Sequence, residues 1–155
     1  MFFLLFGSLK STSMKLKIKC IVFLITAVMA IPVTTFANTG LTNEDEWASV
    51  MDAIIQVESG GNPQARSGIC CGPMQISPVL VAECNNILRR KNTKKRFKLS
   101  DRFNLQKSKE MFVLFQSVYN PYNNVEKAIR MWNGGLRYSV RATQRYYEKV
   151  MRLLK

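Results

Sequence analysis

Apolar residues between Trp47 and Ile55 recur with the step of a helix. Trp47, Val50, Met51, Ile54 and Ile55 stand at i, i+3, i+4, i+7 and i+8, the spacing of a stripe that faces a core. The next position of the series is Glu58, and the run then breaks at Ser59-Gly60-Gly61-Asn62-Pro63. A carboxyl group thus occupies a place that the pattern reserves for a hydrophobe. Desolvation there raises its pKa, and the negative end of the helix dipole acts in the same direction. A carboxyl that keeps its proton near neutral pH can serve as a general acid. The bland alternative is a glutamate at a frayed helix end, turned back to solvent.

The same reading along the chain predicts five helices and little strand. The first covers about 42–59, with Thr42 or Asn43 as its cap and Glu44, Asp45 and Glu46 in its first turn, where acids suit the dipole. A loop from Pro63 to Pro73 leads to a second helix at about 77–90, with Pro78 in its first turn. Ser100-Asp101 is expected to cap a third helix that reaches Tyr119, with Leu105, Met111, Phe112, Leu114 and Phe115 among its apolar members. A fourth covers about 121–132, and a fifth covers about 139–154 with Val140, Tyr146 or Tyr147, Val150 and Leu153 on its core side. No internal repeat or low-complexity linker interrupts them. The expected fold is a compact, mainly α single domain of about five helices with little or no sheet.

The first 37 residues stand outside this pattern. Met14 to Ala37 reads as a secretory signal peptide: Lys15, Lys17 and Lys19, then an apolar stretch from Cys20 to Ile31, then Thr35-Phe36-Ala37 before a cleavage site at Asn38. Met14 is a candidate for the true start. The apolar stretch is short for a membrane span of about 20 residues. Cleavage would leave one domain, 38–155, and place it in the periplasm or cell envelope. Loss of the four leader lysines takes the charge of the chain from +13 to +9.

The chain has no histidine, which excludes a Ser-His-Asp triad and a His-ligated metal. Cys70, Cys71 and Cys84 remain after cleavage; in an exported protein Cys84 is expected to bridge to Cys70 or Cys71. Three cysteines without a fourth ligand make a poor zinc site, so neither metal nor cofactor is expected. Arg89 to Lys98 carries seven basic residues. This is by default a solvated loop, and otherwise a patch for an anionic wall or membrane surface. Nucleic acid is not expected, since no groove-reading motif is present, and a monomer is.

Three glycine-containing segments carry the remaining candidate chemistry: Glu58-Ser59-Gly60, Gly72-Pro73-Met74-Gln75-Ile76 and Trp132-Asn133-Gly134-Gly135. Glycine lets a ligand approach the backbone. Gln75 and Asn133 offer paired donors and acceptors for hydroxyls and acetamides, and Trp132 offers a flat face for a sugar ring. Each segment alone could be a helix stop. Asp52 points away from Glu58 on a helix, and Glu83 reads as a surface or network acid, so no second catalytic carboxylate stands out.

Ala53–Pro78, Ala128–Gly135 and Thr143–Val150 together resemble the soluble lytic transglycosylase family, which has a goose-lysozyme-like fold of the α+β lysozyme-like superfamily. Glu58-Ser59 stands at the family's Glu-Ser motif. Gly72-Pro73-Met74-Gln75-Ile76-Ser77-Pro78 is similar to its Gly-Leu-Met-Gln-Ile-x-Pro motif. Ala128 with Trp132-Asn133-Gly134-Gly135 is similar to its Ala-x-x-x-Tyr-Asn-x-Gly motif, and Tyr146 to the tyrosine of its closing helix. Pro73 and Trp132 depart from the usual residues, which puts sugar preference in doubt. The resemblance implies cleavage of the MurNAc-β-1,4-GlcNAc bond of peptidoglycan strands with formation of a 1,6-anhydro end. It makes Glu58 the catalytic acid/base, and Ser59, Gly72, Met74, Gln75, Trp132, Asn133 and Tyr146 the substrate-binding set. Two alternatives share these residues: a hydrolytic muramidase, and a lysozyme-like module that binds glycan or a partner without cutting.

Overall fold

The structure, a computed structural model, describes residues 43–154. The leader, its cleavage site and the Thr42 cap lie outside the described residues. The domain is mainly helical. Helix α1 (Asn43–Ser59) is followed by a minimal antiparallel hairpin, β1 (Arg66–Ser67) and β2 (Cys70–Cys71). Then come α2 (Pro78–Arg90), a 3-10 turn (Leu99–Phe103), α3 (Leu105–Tyr119), α4 (Val125–Gly134) and α5 (Val140–Leu153).

Side-chain caps explain most of these boundaries. The Ser77 hydroxyl accepts from Leu80 N and Pro78 follows it, so α2 starts one residue later than expected. The third helix does not run unbroken from Ser100. Asp101 accepts from the backbone of Lys98 at 2.8 Å and closes a separate 3-10 turn; Asn104 then leaves the helical region and caps α3 through Lys107 N. The fourth helix starts at Val125 rather than Pro121. Asn120 hydrogen-bonds the backbone of Asn124, Asn123 takes a left-handed φ of 50°, and Asn124 is the cap. In each case a short polar side chain hydrogen-bonds the nearby backbone and so overrides the apolar periodicity.

The stripe of α1 is buried as its spacing requires: Trp47, Val50, Met51, Ile54 and Ile55 are each at most 6 % exposed. Phe112 of α3 packs between Trp47 (5.7 Å, edge-on) and Trp132 of α4 (5.1 Å, tilted), so one aromatic cluster joins three helices. Two expected core residues, Val140 and Leu153, are in fact exposed at 58 and 54 %, as is the apolar Leu105 of α3 at 47 %. Leu105 and Val140 open their helices before the packed turns begin. Leu153 falls to the side of the buried line of α5, which runs through Thr143 and Val150.

All three cysteines are free thiols, in place of the expected bridge. Cys84 lies on the core face of α2, where its Sγ is 3.6 Å from the Met111 carbonyl of α3. Cys71 is turned inward by pairing of its backbone with Ile76. Burial pushes the Cys84 thiol up to about 12, so it is inert at ordinary pH.

Arg130 fixes α4 to α5. It is 3 % exposed, yet its fork reaches Glu126 Oε1 (2.7 Å), the Val140 carbonyl (3.0 Å), Thr143 Oγ1 (3.1 Å) and Gln144 Oε1 (2.8 Å). The guanidinium also lies 4.4 Å from the centre of the Tyr147 ring. A buried cation persists only with partners of this kind. Arg130→Ala is expected to destabilise the domain by about 3 kcal/mol in urea unfolding. Arg130→Lys should recover less than half of that, because one ammonium cannot occupy four directions in a plane.

Candidate active site

Glu58 ends the apolar stripe of α1, half-buried and facing α5. Tyr146 Oη donates to Glu58 Oε1 at 2.7 Å across 88 residues of sequence. Burial raises the Glu58 pKa above its ordinary 4.5, while the hydrogen bond from Tyr146 pulls it partly back down. No other charged group contributes to the shift. Burial first, and the adjoining carboxylate second, hold the Tyr146 hydroxyl protonated far above its usual range. Tyr146 is therefore a donor at every pH the protein meets, and Glu58 is a carboxyl whose two charge states are brought closer in free energy.

The other acids are engaged elsewhere. Asp52 pairs with Lys109 of α3 at 2.8 Å. Glu83 accepts from Tyr119 Oη at 2.5 Å and pairs with Arg90; its carboxyl is held below the ordinary range, chiefly by the Tyr119 hydrogen bond. Among the described residues no three His, Cys, Asp or Glu side chains come together.

Ser59 does not touch Glu58. Its Oγ donates to the Pro73 carbonyl at 2.8 Å, which ties the end of α1 to the segment 72–76. In that segment Gly72 is buried with φ 82°, and a Cβ there would stand 1.7 Å from the Arg102 carbonyl oxygen. Gln75 has a left-handed φ of 49°, and its Nε2 folds back onto the Gly72 carbonyl at 2.9 Å. Its Oε1 is buried without a hydrogen-bond partner. Met74 is fully buried, so its side chain belongs to the core rather than to a binding surface. Its carbonyl accepts from Trp132 Nε1 at 3.2 Å. The indole N–H is thereby used internally, and only the ring of Trp132 is left for a ligand. Asn133, the next residue, is exposed.

The three glycine segments thus form one connected structure: Glu58 and Ser59 to Pro73, Met74 to Trp132, and Asn133 beside it. Arg102 completes it, although no local pattern in the chain marks this residue. Its Nη1 reaches the carbonyls of Ile69 (3.0 Å) and Ile76 (3.2 Å), and its own carbonyl is the atom that bars any Cβ at Gly72. A separate open groove of about 730 Å³ lies on the other side of α1, lined by Asp52, Gln56, Pro63, Pro73, Leu105 and Leu153. Glu58 and Tyr146 do not line it. Comparison with protein families, characterised proteins and solved structures finds no match to this chain.

Gly72→Ala should cost about 3–5 kcal/mol, from a left-handed alanine plus a backbone collision. Gly60→Ala, at φ 61° but facing open space, should cost about 1–2 kcal/mol. Thermal or urea unfolding of the two variants measures the difference.

The raised pKa also fixes a pH dependence. Folded Glu58 holds its proton more tightly than unfolded Glu58. Its contribution to stability is therefore fully present below pH 4.5 and is lost as pH rises through the folded value. Glu58→Gln should be more stable than the wild type at about pH 8 and equal to it at about pH 3. Tyr146→Phe removes the bond that favours the anion, so an NMR titration of the Glu58 carboxyl should move to higher pH.

Proposed function

We propose that the domain is an exported peptidoglycan lytic transglycosylase with a lysozyme-like fold. It would cleave the MurNAc-β-1,4-GlcNAc bond and leave a 1,6-anhydro-muramyl end. The observation that carries this reading is the pairing of Glu58 with Tyr146: one half-buried carboxyl, raised in pKa by desolvation and touched by a permanent donor. The resemblance of the three glycine segments to the transglycosylase motifs supports it.

In this reaction a single carboxyl serves both steps. Protonated Glu58 gives its proton to the glycosidic oxygen, and the bond from that oxygen to muramyl C1 breaks. The GlcNAc residue leaves with a free 4-hydroxyl. The muramyl C6 hydroxyl then bonds to C1 and returns its proton to Glu58. No water enters, and the acid ends as it began. Burial favours the form that starts the first step, and Tyr146 stabilises the anion between the steps. Glycosidases that add water use a second carboxylate as base or nucleophile. Asp52, Glu83 and Glu126, the acids nearest in sequence to these segments, are each committed to other partners.

Within this reading the exposed Asn133 amide orients sugar acetamides and hydroxyls, the Trp132 ring supports a sugar face, and Gln75 braces the loop through its bond to the Gly72 carbonyl. Ser59, Gly72 and Met74 act through the backbone that they fix.

Mass spectrometry of digested sacculi tests the proposal. The wild type should yield anhydro-ended muropeptides, and Glu58→Gln should lower their formation by at least about a thousandfold. Reducing-end products would mark a hydrolytic muramidase, and glycan binding without turnover would mark a binding module.

A further inference from the structure

Helix α5 presents a second chemistry on its outer side. Arg141, Arg145, Lys149 and Arg152 follow one another at steps of four, four and three. They occupy an arc of about 80° around the helix and a length of about 16 Å along it. All four are exposed. The arc lies opposite the buried positions Thr143 and Val150, on the solvent face, with the exposed acid Glu148 at its edge beside Arg141 and Arg152. Among the described residues none of the four forms an ion pair. The acid of the same helix, Glu148, accepts from Gln144, and the acid of neighbouring α4, Glu126, is taken by Arg130.

A solvated helix face ordinarily mixes signs and forms pairs at i, i+4. Like charges at that spacing repel, so this row costs the folded domain something and points to a use. The row runs along the outer face of the helix. Four unpaired cations along the outer face of one helix complement a plane of anionic headgroups. No helix among the described residues is long and apolar enough to cross a membrane, so contact of this kind is peripheral.

We propose that the outer face of α5 docks the domain on an anionic phospholipid surface through Arg141, Arg145, Lys149 and Arg152. Tyr146 lies about a quarter-turn from this row, so Glu58 stays uncovered when the row meets the membrane. The inference does not depend on the glycan chemistry, because its readout uses no glycan.

The test is cosedimentation with vesicles of equal parts phosphatidylglycerol and phosphatidylcholine, against vesicles of phosphatidylcholine alone. The wild type should bind the first, not the second, and release as salt rises. Each cation near such a surface is worth roughly fivefold in affinity. The triple variant R141E/R145E/K149E should therefore lose at least roughly a hundredfold, with its helical circular dichroism unchanged. The control K91E/K94E/K98E carries the same net charge and alters three exposed lysines around the other basic segment; it should bind as the wild type does. Equal losses in both variants would show that net charge alone drives binding and would overturn the proposal. So would wild-type protein that ignores the vesicles but binds soluble poly(glycerol phosphate), the outcome for a wall-polymer site.

Discussion

The hydrogen bond from Tyr146 to Glu58 joins the last turn of α1 to the middle of α5, and the site depends on the balance it strikes. Burial favours the protonated form of Glu58, and the bond from Tyr146 favours the anion. At 2.7 Å the phenol favours the anion without adding a charge of its own. A basic side chain in the same place would favour the anion far more strongly and would remove the acid. A neutral donor is the partner suited to a group that, in the proposed reaction, gives a proton and later takes one back. The bond exists only if α5 stands firmly against the domain. That is why Arg130 matters although it never approaches Glu58: its fork and the Tyr147 ring lock the first half of α5 to α4.

The segment 72–76 is the second element of rigidity, and it is held from several directions. Ser59 grips the Pro73 carbonyl, Trp132 the Met74 carbonyl, and Arg102 the carbonyls of Ile69 and Ile76. Each bond occupies a backbone acceptor with a side chain from a distant part of the chain. The effect is to use up most of the local polar groups inside the protein. What remains for a ligand in the proposed reading is narrow: the exposed Asn133 amide and the half-buried ring of Trp132. A site with few free groups on a stiff frame loses little entropy when it orders a substrate.

The chain reveals different parts of this arrangement to different degrees. The α1 stripe and the displaced glutamate are legible because helical spacing is local, and Trp47 to Ile55 are buried where that spacing puts them. The glycine segments are legible as special backbone, since a positive φ at Gly72 is a local property. Their mutual attachment is not, because a bond such as Ser59 to Pro73 depends on how helices meet. Arg102 is invisible for the same reason: its contacts lie 33 and 26 residues away. The boundaries of α3 and α4 fail differently, through several Asn and Asp residues that could each cap or turn; only the backbone angles show that Asn104 and Asn124 are the caps. The expected disulfide fails because Cys84 shares a core face with Val81 and Leu88, and a packed thiol needs no partner sulfur.

Helix α5 carries three demands at once, and its sequence divides them by angle. Thr143 and Val150 satisfy the core, Tyr146 at the edge of that face reaches Glu58, and the basic row occupies the side that neither uses. The division explains why this helix is so polar in composition and yet so firmly placed. A helix buried on all sides could not present cations, and one held only by a narrow apolar line would not fix a phenol within hydrogen-bonding distance of a carboxyl. The extra fixation comes from Arg130, which binds the polar flank of α5 at Gln144 and Thr143. Polar contacts on the flank leave the apolar line short, and the short apolar line leaves the outer face free for charge.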